Sequence, residues 1–349
     1  MLHFDCDYMA GAHPEVLQAI IDNNNTQTSG YGCDDFCERA KALIREVCET
    51  PDAKVHFLIG GTQTNSTVLD ALLGRTDGVL CAETGHINAH ESGAVELFGH
   101  KVIGLPSYEG KLKPEEVEAY LHDFYADDTY EHMVAPGAVY ISLPTEYGTL
   151  YTLEELESLS AICHNYDIPL YVDGARLGHG LAASPDITLP KLARLADVFY
   201  IGGTKMGALM GEAVVCTNPK LLPRFFTLMK AHGAVLAKGR LLGMQYETFF
   251  RKPADGQDIL YLRIGKHTVS LALQLREALE EKGYTPFIDS PTNQQFFILP
   301  NELIDRLLPH ATFEYWGPRG ETESKVRFVT SWETTQEDID TFKALLNNK

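Results

Sequence analysis

Two apolar runs in this chain each end on a reactive residue. Pro169-Leu170-Tyr171-Val172 leads into Asp173, which is followed by Gly174-Ala175-Arg176. Val198-Phe199-Tyr200-Ile201 leads through Gly202-Gly203-Thr204 into Lys205. A carboxylate and an amine, each at the carboxyl end of a buried strand, are what pyridoxal phosphate (PLP) chemistry needs: an anion for the pyridine nitrogen and an amine for the aldehyde. Cleavage, elimination and transamination on that cofactor all begin with the lysine amine, so Lys205 is the indispensable member. A lysine after a turn is commonly a surface residue, and an aspartate at a strand end is commonly a turn former. The apolar residues ahead of each favour burial at the top of a sheet. Arg176 adds a fixed cation suited to the cofactor's phenolate oxygen or to a substrate carboxylate.

Two further segments could complete such a site. In Gly60-Gly61-Thr62-Gln63-Thr64-Asn65, small residues between a strand and a helix let backbone N–H groups converge on an anion, with the Thr62 hydroxyl beside them. The spacing is neither a dinucleotide fingerprint nor a P-loop. In His86-Ile87-Asn88-Ala89-His90-Glu91, one imidazole could stack on a pyridine ring, and His90 or Glu91 could move a proton. His86 and His90 lack the order of a zinc motif and a third ligand, so no metal is expected.

The elements that must hold these residues alternate. Val55–Ile59, Gly78–Cys81, Lys101–Ile103, Ala138–Ser142, Leu170–Asp173, Asp197–Ile201 and Gly211–Cys216 read as strands, with Gly60-Gly61-Thr62 as a turn. Helices are expected over His13–Ile20, Asp34–Cys48, Asn65–Leu73 and Leu153–Tyr166, the last with Leu156, Leu159, Ile162 and Cys163 on one face. Apolar strands joined by such helices are the pattern of parallel βαβ units buried on both sides, so the fold class is α/β. Beyond Phe250 the order changes to a helix at Gly265–Gly283, strands at Asn293–Leu299, Thr312–Trp316 and Lys325–Val329, and helices at Glu302–Leu308 and Thr335–Leu346. The expected organisation is an amino-terminal arm over 1–12, a large α/β domain over 13–250 and a small α+β domain over 251–349. The polar 252–256 segment reads as the linker.

Composition narrows the classes. With 29 basic against 48 acidic residues, a formal charge of −19 argues against a nucleic-acid or anionic-membrane partner. Seven cysteines without a framework fit reduced thiols. There is no basic and apolar leader and no run of 18 apolar residues, so a soluble, cytoplasmic protein is expected.

Ordered along one chain, these segments resemble the threonine aldolase group, in the β-eliminating lyase branch of the PLP-dependent type I (aspartate aminotransferase) fold. The matching stretches are Asp7-Tyr8, Tyr31-Gly32 with Asp34, Gly61-Thr62 with Thr64-Asn65, His86-Ile87, Glu91 with Gly93-Ala94, Asp173-Gly174-Ala175-Arg176, Thr204-Lys205, Thr292-Asn293 and Val326-Arg327-Phe328-Val329-Thr330. The resemblance implies that Lys205 forms the Schiff base, Asp173 pairs with the pyridine nitrogen and His86 stacks on the ring. It implies phosphate contacts from Gly61, Thr62 and Thr204, and a substrate carboxylate held by Arg176 and Arg327. It also implies a homotetramer built as a dimer of dimers, with Tyr31 and one of Lys238 or Arg240 reaching a neighbour's site.

The substrate end departs from the pattern. Leu143-Pro144-Thr145-Glu146-Tyr147 replaces a Glu-Asn-Thr-His stretch, putting Glu146 where a histidine near the substrate hydroxyl is usual. Cys6 replaces a serine that touches the substrate carboxylate, and Ser331 stands where a histidine is common. The leading expectation is a PLP-dependent aldolase that splits L-threonine, L-allo-threonine or a related β-hydroxy-α-amino acid into glycine and an aldehyde. Glu146, His90, Glu91 and an ordered water all stand as candidate bases. The alternatives are β-elimination from another amino acid and a catalytically silent relative.

Overall fold

The computed structural model describes residues 1–347. The apolar runs assemble into one seven-stranded sheet: β1 (Lys54–Leu58), β2 (Asp77–Ala82), β3 (Lys101–Leu105), β4 (Ala135–Ser142), β5 (Leu170–Asp173), β6 (Val198–Gly202) and β7 (Glu212–Cys216). Their spatial order is β1-β7-β6-β5-β4-β2-β3. Every neighbouring pair is parallel except the two that β7 makes, with β1 and with β6. The α/β class with a mostly parallel central sheet is therefore as expected. β5, β6 and β7 are buried along their whole length, which is why they read as continuous apolar runs.

Alternate residues of these strands go to opposite faces. Val139, Ile141, Val172, Phe199 and Ile201 join one core, while Tyr140, Tyr171 and Tyr200 join the other, together with Val68 and Leu69 of the helix Gly61–Leu72. By the same period of two, Asp173 and Ser142 lie on the tyrosine face. Because β7 runs against its neighbours, its first residue, Glu212, is paired with Leu58 and with Gly202. The carboxyl ends of β1, β4, β5 and β6 and the start of β7 thus share one edge, the place where open α/β sheets bind ligands.

At that edge β5 and β6 leave the sheet almost touching. A Cβ on Gly174 would stand 1.9 Å from the Tyr200 carbonyl oxygen, and one on Gly202 would stand 2.3 Å from that of Ala175. Only glycine fits at either position. The Gly202 N–H donates to the Gly174 carbonyl at 3.0 Å, fixing the two strand ends together.

The helix expected from Asn65 begins at Gly61 instead. Glycine is a poor helix former, which is why the segment reads as a turn. Here Gly60 is extended, and its carbonyl accepts from both the N–H (3.0 Å) and the hydroxyl (2.9 Å) of Thr64, which seats the first turn four residues early. The helices Pro114–Ala126, Leu177–Ala183 and Arg240–Phe250 lie outside the expected set. The last is buried over most of its length, from Leu242 to Phe250.

The carboxyl-terminal unit holds a three-stranded antiparallel sheet of β8 (Gln294–Pro300), β9 (Glu314–Tyr315) and β10 (Glu323–Val329), in the order β9-β10-β8. The single strand expected over Thr312–Trp316 is split. Ala311–Thr312 pairs in parallel with Leu2–His3 of the arm, and Glu314–Tyr315 pairs with β10. Leu2 and Phe4 enter this unit's core beside Phe328 and Phe342. The helix Leu260–Glu280 serves both cores, giving Leu260, Tyr261 and Ile264 to the larger and Leu271, Leu275 and Leu279 to the smaller. Among the described residues the seven cysteines are free, and no helix is long and apolar enough to cross a membrane.

Candidate active site

Asp173 is buried at the end of β5, where its carboxylate accepts four hydrogen bonds. One oxygen accepts from the Tyr200 hydroxyl (2.5 Å) and the Ala175 N–H (2.9 Å), the other from the Tyr140 hydroxyl (2.6 Å) and the Asn65 amide (2.8 Å). Tyr140 and Tyr200 reach it because they share its face of the sheet, and Asn65 reaches it because the helix starts at Gly61. Burial opposes ionisation. The nearby His86 and the donors from Tyr140, Tyr200 and Asn65 outweigh it, holding the carboxyl below its ordinary pKa.

Asp173 and Lys205 line one cavity of about 380 Å³, with Gly61, Thr62, His86, Glu146, Arg176, Thr204 and Tyr8 also on its wall. Lys205 is half-buried on that wall. Burial and the Arg176 charge lower its pKa, although Asp7, Asp173 and Glu212 pull the other way. Glu212 accepts from the Gly203 N–H (3.0 Å) and the Thr204 hydroxyl (2.8 Å), and burial pushes its carboxyl up to about 8. The helix amino terminus at Gly61 has no capping side chain, so its first N–H groups remain available to an anion.

His86 is fixed from behind. Its Nδ1 pairs with Glu91 at 2.6 Å, and the same Glu91 oxygen accepts from Asn65 at 2.7 Å, so the imidazole and Asp173 are tied through one amide. The His86 backbone N–H (2.9 Å) and the Ser142 hydroxyl (2.6 Å) both donate to one oxygen of Glu146. Burial raises the Glu146 carboxyl, with His86 and the Ser142 bond lowering it in part. His90 stands further out, its ring between those of His86 (5.7 Å) and Trp316 (6.1 Å). Burial and the neighbouring His86 and Arg327 lower its pKa.

The two arginines are partly committed. Arg176 donates through Nε (2.7 Å) and Nη2 (3.0 Å) to Asp7, which also accepts from Asn293 at 2.9 Å. Arg327 donates to Gln294 at 2.8 Å and to Glu314, and its guanidinium lies over Trp316. Both arginines line a second cavity with Lys205, His86, His90 and Glu146, which Asp173 does not line, and Arg176 borders both cavities. Cys6 lies next to Asp7, but it is Tyr8 that lines the cavity, with Lys205 Nζ 5.9 Å from its ring centre.

Tyr31, Lys238 and Arg240 stand outside both cavities. Tyr31 is half-exposed with the Lys230 ammonium over its ring, and Arg240 donates to the carbonyls of Asn24 and Thr26. Conversely, Tyr140, Tyr200, Ser142 and Glu212 belong to the site without having been singled out in the sequence. Period-two counting back from Asp173, and onto the neighbouring strands, is the signal that would have found the first three.

A profile described as beta-eliminating lyase matches residues 4–287. The chain is 31% identical over 342 residues to a low-specificity L-threonine aldolase of Pseudomonas aeruginosa, covering 96% of this chain and 94% of that one. It is 35% identical over 343 residues to the enzyme of the same name from another Pseudomonas strain, covering 95% and 93%. A solved structure of Leishmania major threonine aldolase superposes with a TM-score of 0.93 at 40% identity, over 99% of this chain and 98% of that one.

Proposed function

We propose, from the premise that this chain belongs to the beta-eliminating lyase family, that it is a PLP-dependent aldolase cleaving L-threonine, L-allo-threonine or a related β-hydroxy-α-amino acid into glycine and an aldehyde. The observation that carries the reading is a single cavity in which four donors keep Asp173 ionised while burial holds Lys205 toward its neutral form. When bound, PLP supplies an aldehyde for an amine and a protonated ring that takes up the electrons of a broken substrate bond. The residues present fit that group. Asp173 would hold the ring nitrogen protonated, and Lys205, in its neutral form, is the nucleophile for the aldehyde. His86, its ring locked by Glu91, would cover one face. The open helix terminus at Gly61 and Thr62 would hold the phosphate, with Thr204 beside it.

Arg327 and Arg176 present two guanidinium groups for the carboxylate of an amino acid, and the Asp7 pair keeps Arg176 oriented. Tyr8 and Trp316 wall the cavity where they would exclude water from the reacting carbon. The same reading includes a cytoplasmic homo-oligomer, a dimer of dimers, in which Tyr31 and Lys238 or Arg240 reach a neighbour's site. Their position outside this chain's own cavity supports it.

The test is incubation of purified protein with threonine and, separately, with an amino acid bearing a β-leaving group. Glycine plus acetaldehyde is the expected outcome; pyruvate plus ammonia from the second substrate alone would transfer the assignment to β-elimination. The wild type should also carry a visible absorbance band that Lys205→Ala lacks, and equal colourlessness of the two would remove the cofactor assignment.

A further inference from the structure

Breaking the Cα–Cβ bond of a β-hydroxy amino acid requires a group to receive the hydroxyl proton, and Glu146 is built for it. Its side chain is buried, with 8% of the residue exposed, in the turn that follows β4. One oxygen is pinned by the His86 N–H (2.9 Å) and the Ser142 hydroxyl (2.6 Å). The other, Oε2, is buried and has no hydrogen-bond partner among the described residues. A buried carboxylate oxygen left without a donor is destabilising, so an arrangement that keeps one oxygen anchored and the other free calls for a functional reason. Glu146 also lines both the Asp173 cavity and the arginine cavity, between the carboxylate at one end and the guanidinium groups at the other.

The rival groups are placed differently. Glu91 has a partnerless oxygen too, but it stands behind His86, with its bound oxygen holding that ring and Asn65, and it lines neither cavity. His90 reaches the outer cavity but not the one containing Asp173. Its ring is held only by aromatic neighbours.

Resting on the aldolase reading above, we propose that Glu146 Oε2 takes the proton of the substrate's β-hydroxyl. The O–H bond breaks, the proton passes to Oε2, and the oxygen's electron pair becomes the aldehyde C=O as Cα–Cβ breaks. The released pair ends in the new C–H bond at the α-carbon of glycine, whose proton comes from solvent. Glu146 returns its proton to solvent, and the charges balance. A carboxylate raised by burial is a better base than an exposed one, and it must be ionised to act. The charged and titratable groups facing it are His86, from the short helix His86–Ala89, Asp173 from β5, and Cys81 and Tyr140 from β2 and β4. Across the cavity stand Lys205, Arg176, Glu314 and Arg327.

The experiment uses PLP-loaded wild type and Glu146→Gln, because glutamine retains the size and an acceptor for Ser142 and His86. Steady-state cleavage of threonine is followed across pH, and glycine, which has no β-hydroxyl, is titrated by its effect on the cofactor's absorbance. The expected result is a fall in kcat/KM of roughly 100-fold or more with the acidic limb of its pH profile gone. Glycine affinity stays within about two-fold, because that ligand asks nothing of the base. An activity within about five-fold of wild type, an unchanged acidic limb, or a parallel collapse of glycine binding overturns the assignment. A wild type that releases no glycine from any β-hydroxy amino acid, while still binding glycine, instead refutes the reading beneath it.

Discussion

Removing one partner of the Asp7–Arg176 pair should cost far more than removing both. Asp7 is wholly buried and accepts two short bonds from Arg176 and a third from Asn293. Burial alone would raise its carboxyl, but Arg176, Lys205 and His179 hold it far below the ordinary carboxylate range. In Asp7→Asn the amide cannot accept at both oxygens, so one N–H group of Arg176 or of Asn293 meets a donor. A buried guanidinium then lies uncompensated beside Lys205. Breaking a buried ion pair on one side costs about 3–5 kcal/mol. At about 2 °C per kcal/mol for a chain of this size, that is a fall in Tm of roughly 6–10 °C. Replacing both charges with apolar groups of similar volume, Asp7→Leu with Arg176→Met, removes the desolvation cost along with the attraction and should recover at least half of the loss. Asn293 keeps its bond to the Thr330 carbonyl in either case. The measurement is thermal unfolding of the three proteins at one saturating PLP concentration, since bound ligand shifts apparent stability. The pH dependence is a second readout. A carboxyl depressed in the folded state contributes stability fully present above its unfolded pKa, about 3.9, and lost as pH falls through the folded value. Wild type should therefore lose this contribution in acid, and Asp7→Asn should not. A single variant within about 1 kcal/mol of wild type, or a double variant less stable than the single, would refute the reasoning.

Gly174→Ala should lower stability by at least about 3 kcal/mol or prevent soluble expression, because its methyl would overlap the Tyr200 carbonyl; wild-type unfolding behaviour would show that the strand ends part easily. Glu212 binds its proton up to about 8 in the folded protein but releases it near 4.3 when unfolded, so the folded state holds more protons in between and stability falls as pH rises through that window. Glu212→Gln should flatten that fall, worth roughly 1.4 kcal/mol per pH unit, in urea midpoints taken at pH 5 and pH 8; parallel slopes for the two proteins would argue against it. Lys205→Ala and Tyr31→Ala, each inactive alone, should regain roughly a quarter of wild-type activity when co-expressed if sites are shared across a two-fold interface, and no recovery would place Tyr31 outside the site.

The parts of the fold that read directly from the residues are those where burial is two-sided. β5 and β6 carry uninterrupted apolar runs, with Asp173 closing the first and Lys205 following the second by three residues, so both announce themselves. Gly61 and Thr62 read as a turn because glycine opposes helix formation locally. The helix starts there because the Gly60 carbonyl and the Thr64 side chain meet, a pairing that composition does not reveal. Tyr140 and Tyr200 look like core aromatics, and for most of their surface they are. Their hydroxyls matter only once strand order brings β4 and β6 to either side of β5. Glu212 is hidden for a related reason: it reaches the site edge only because β7 is the one reversed strand. The Asp7–Arg176 pair joins residues 169 positions apart, beyond any local pattern.

The splice of residues 2–4 into the carboxyl-terminal core sets an order of events during synthesis. Leu2 pairs with Ala311, and Phe4 packs on Phe328 and Phe342, so these first residues must stay unpaired until some three hundred more have been made. At about 5–20 residues per second that is a wait of roughly 15–60 seconds on the ribosome. The central sheet has all its strands once Cys216 has emerged, well before the arm can dock. The catalytic cavity acquires its wall from Tyr8 and Arg327 as a closing act of folding, after the floor around Asp173 and Lys205 is already laid.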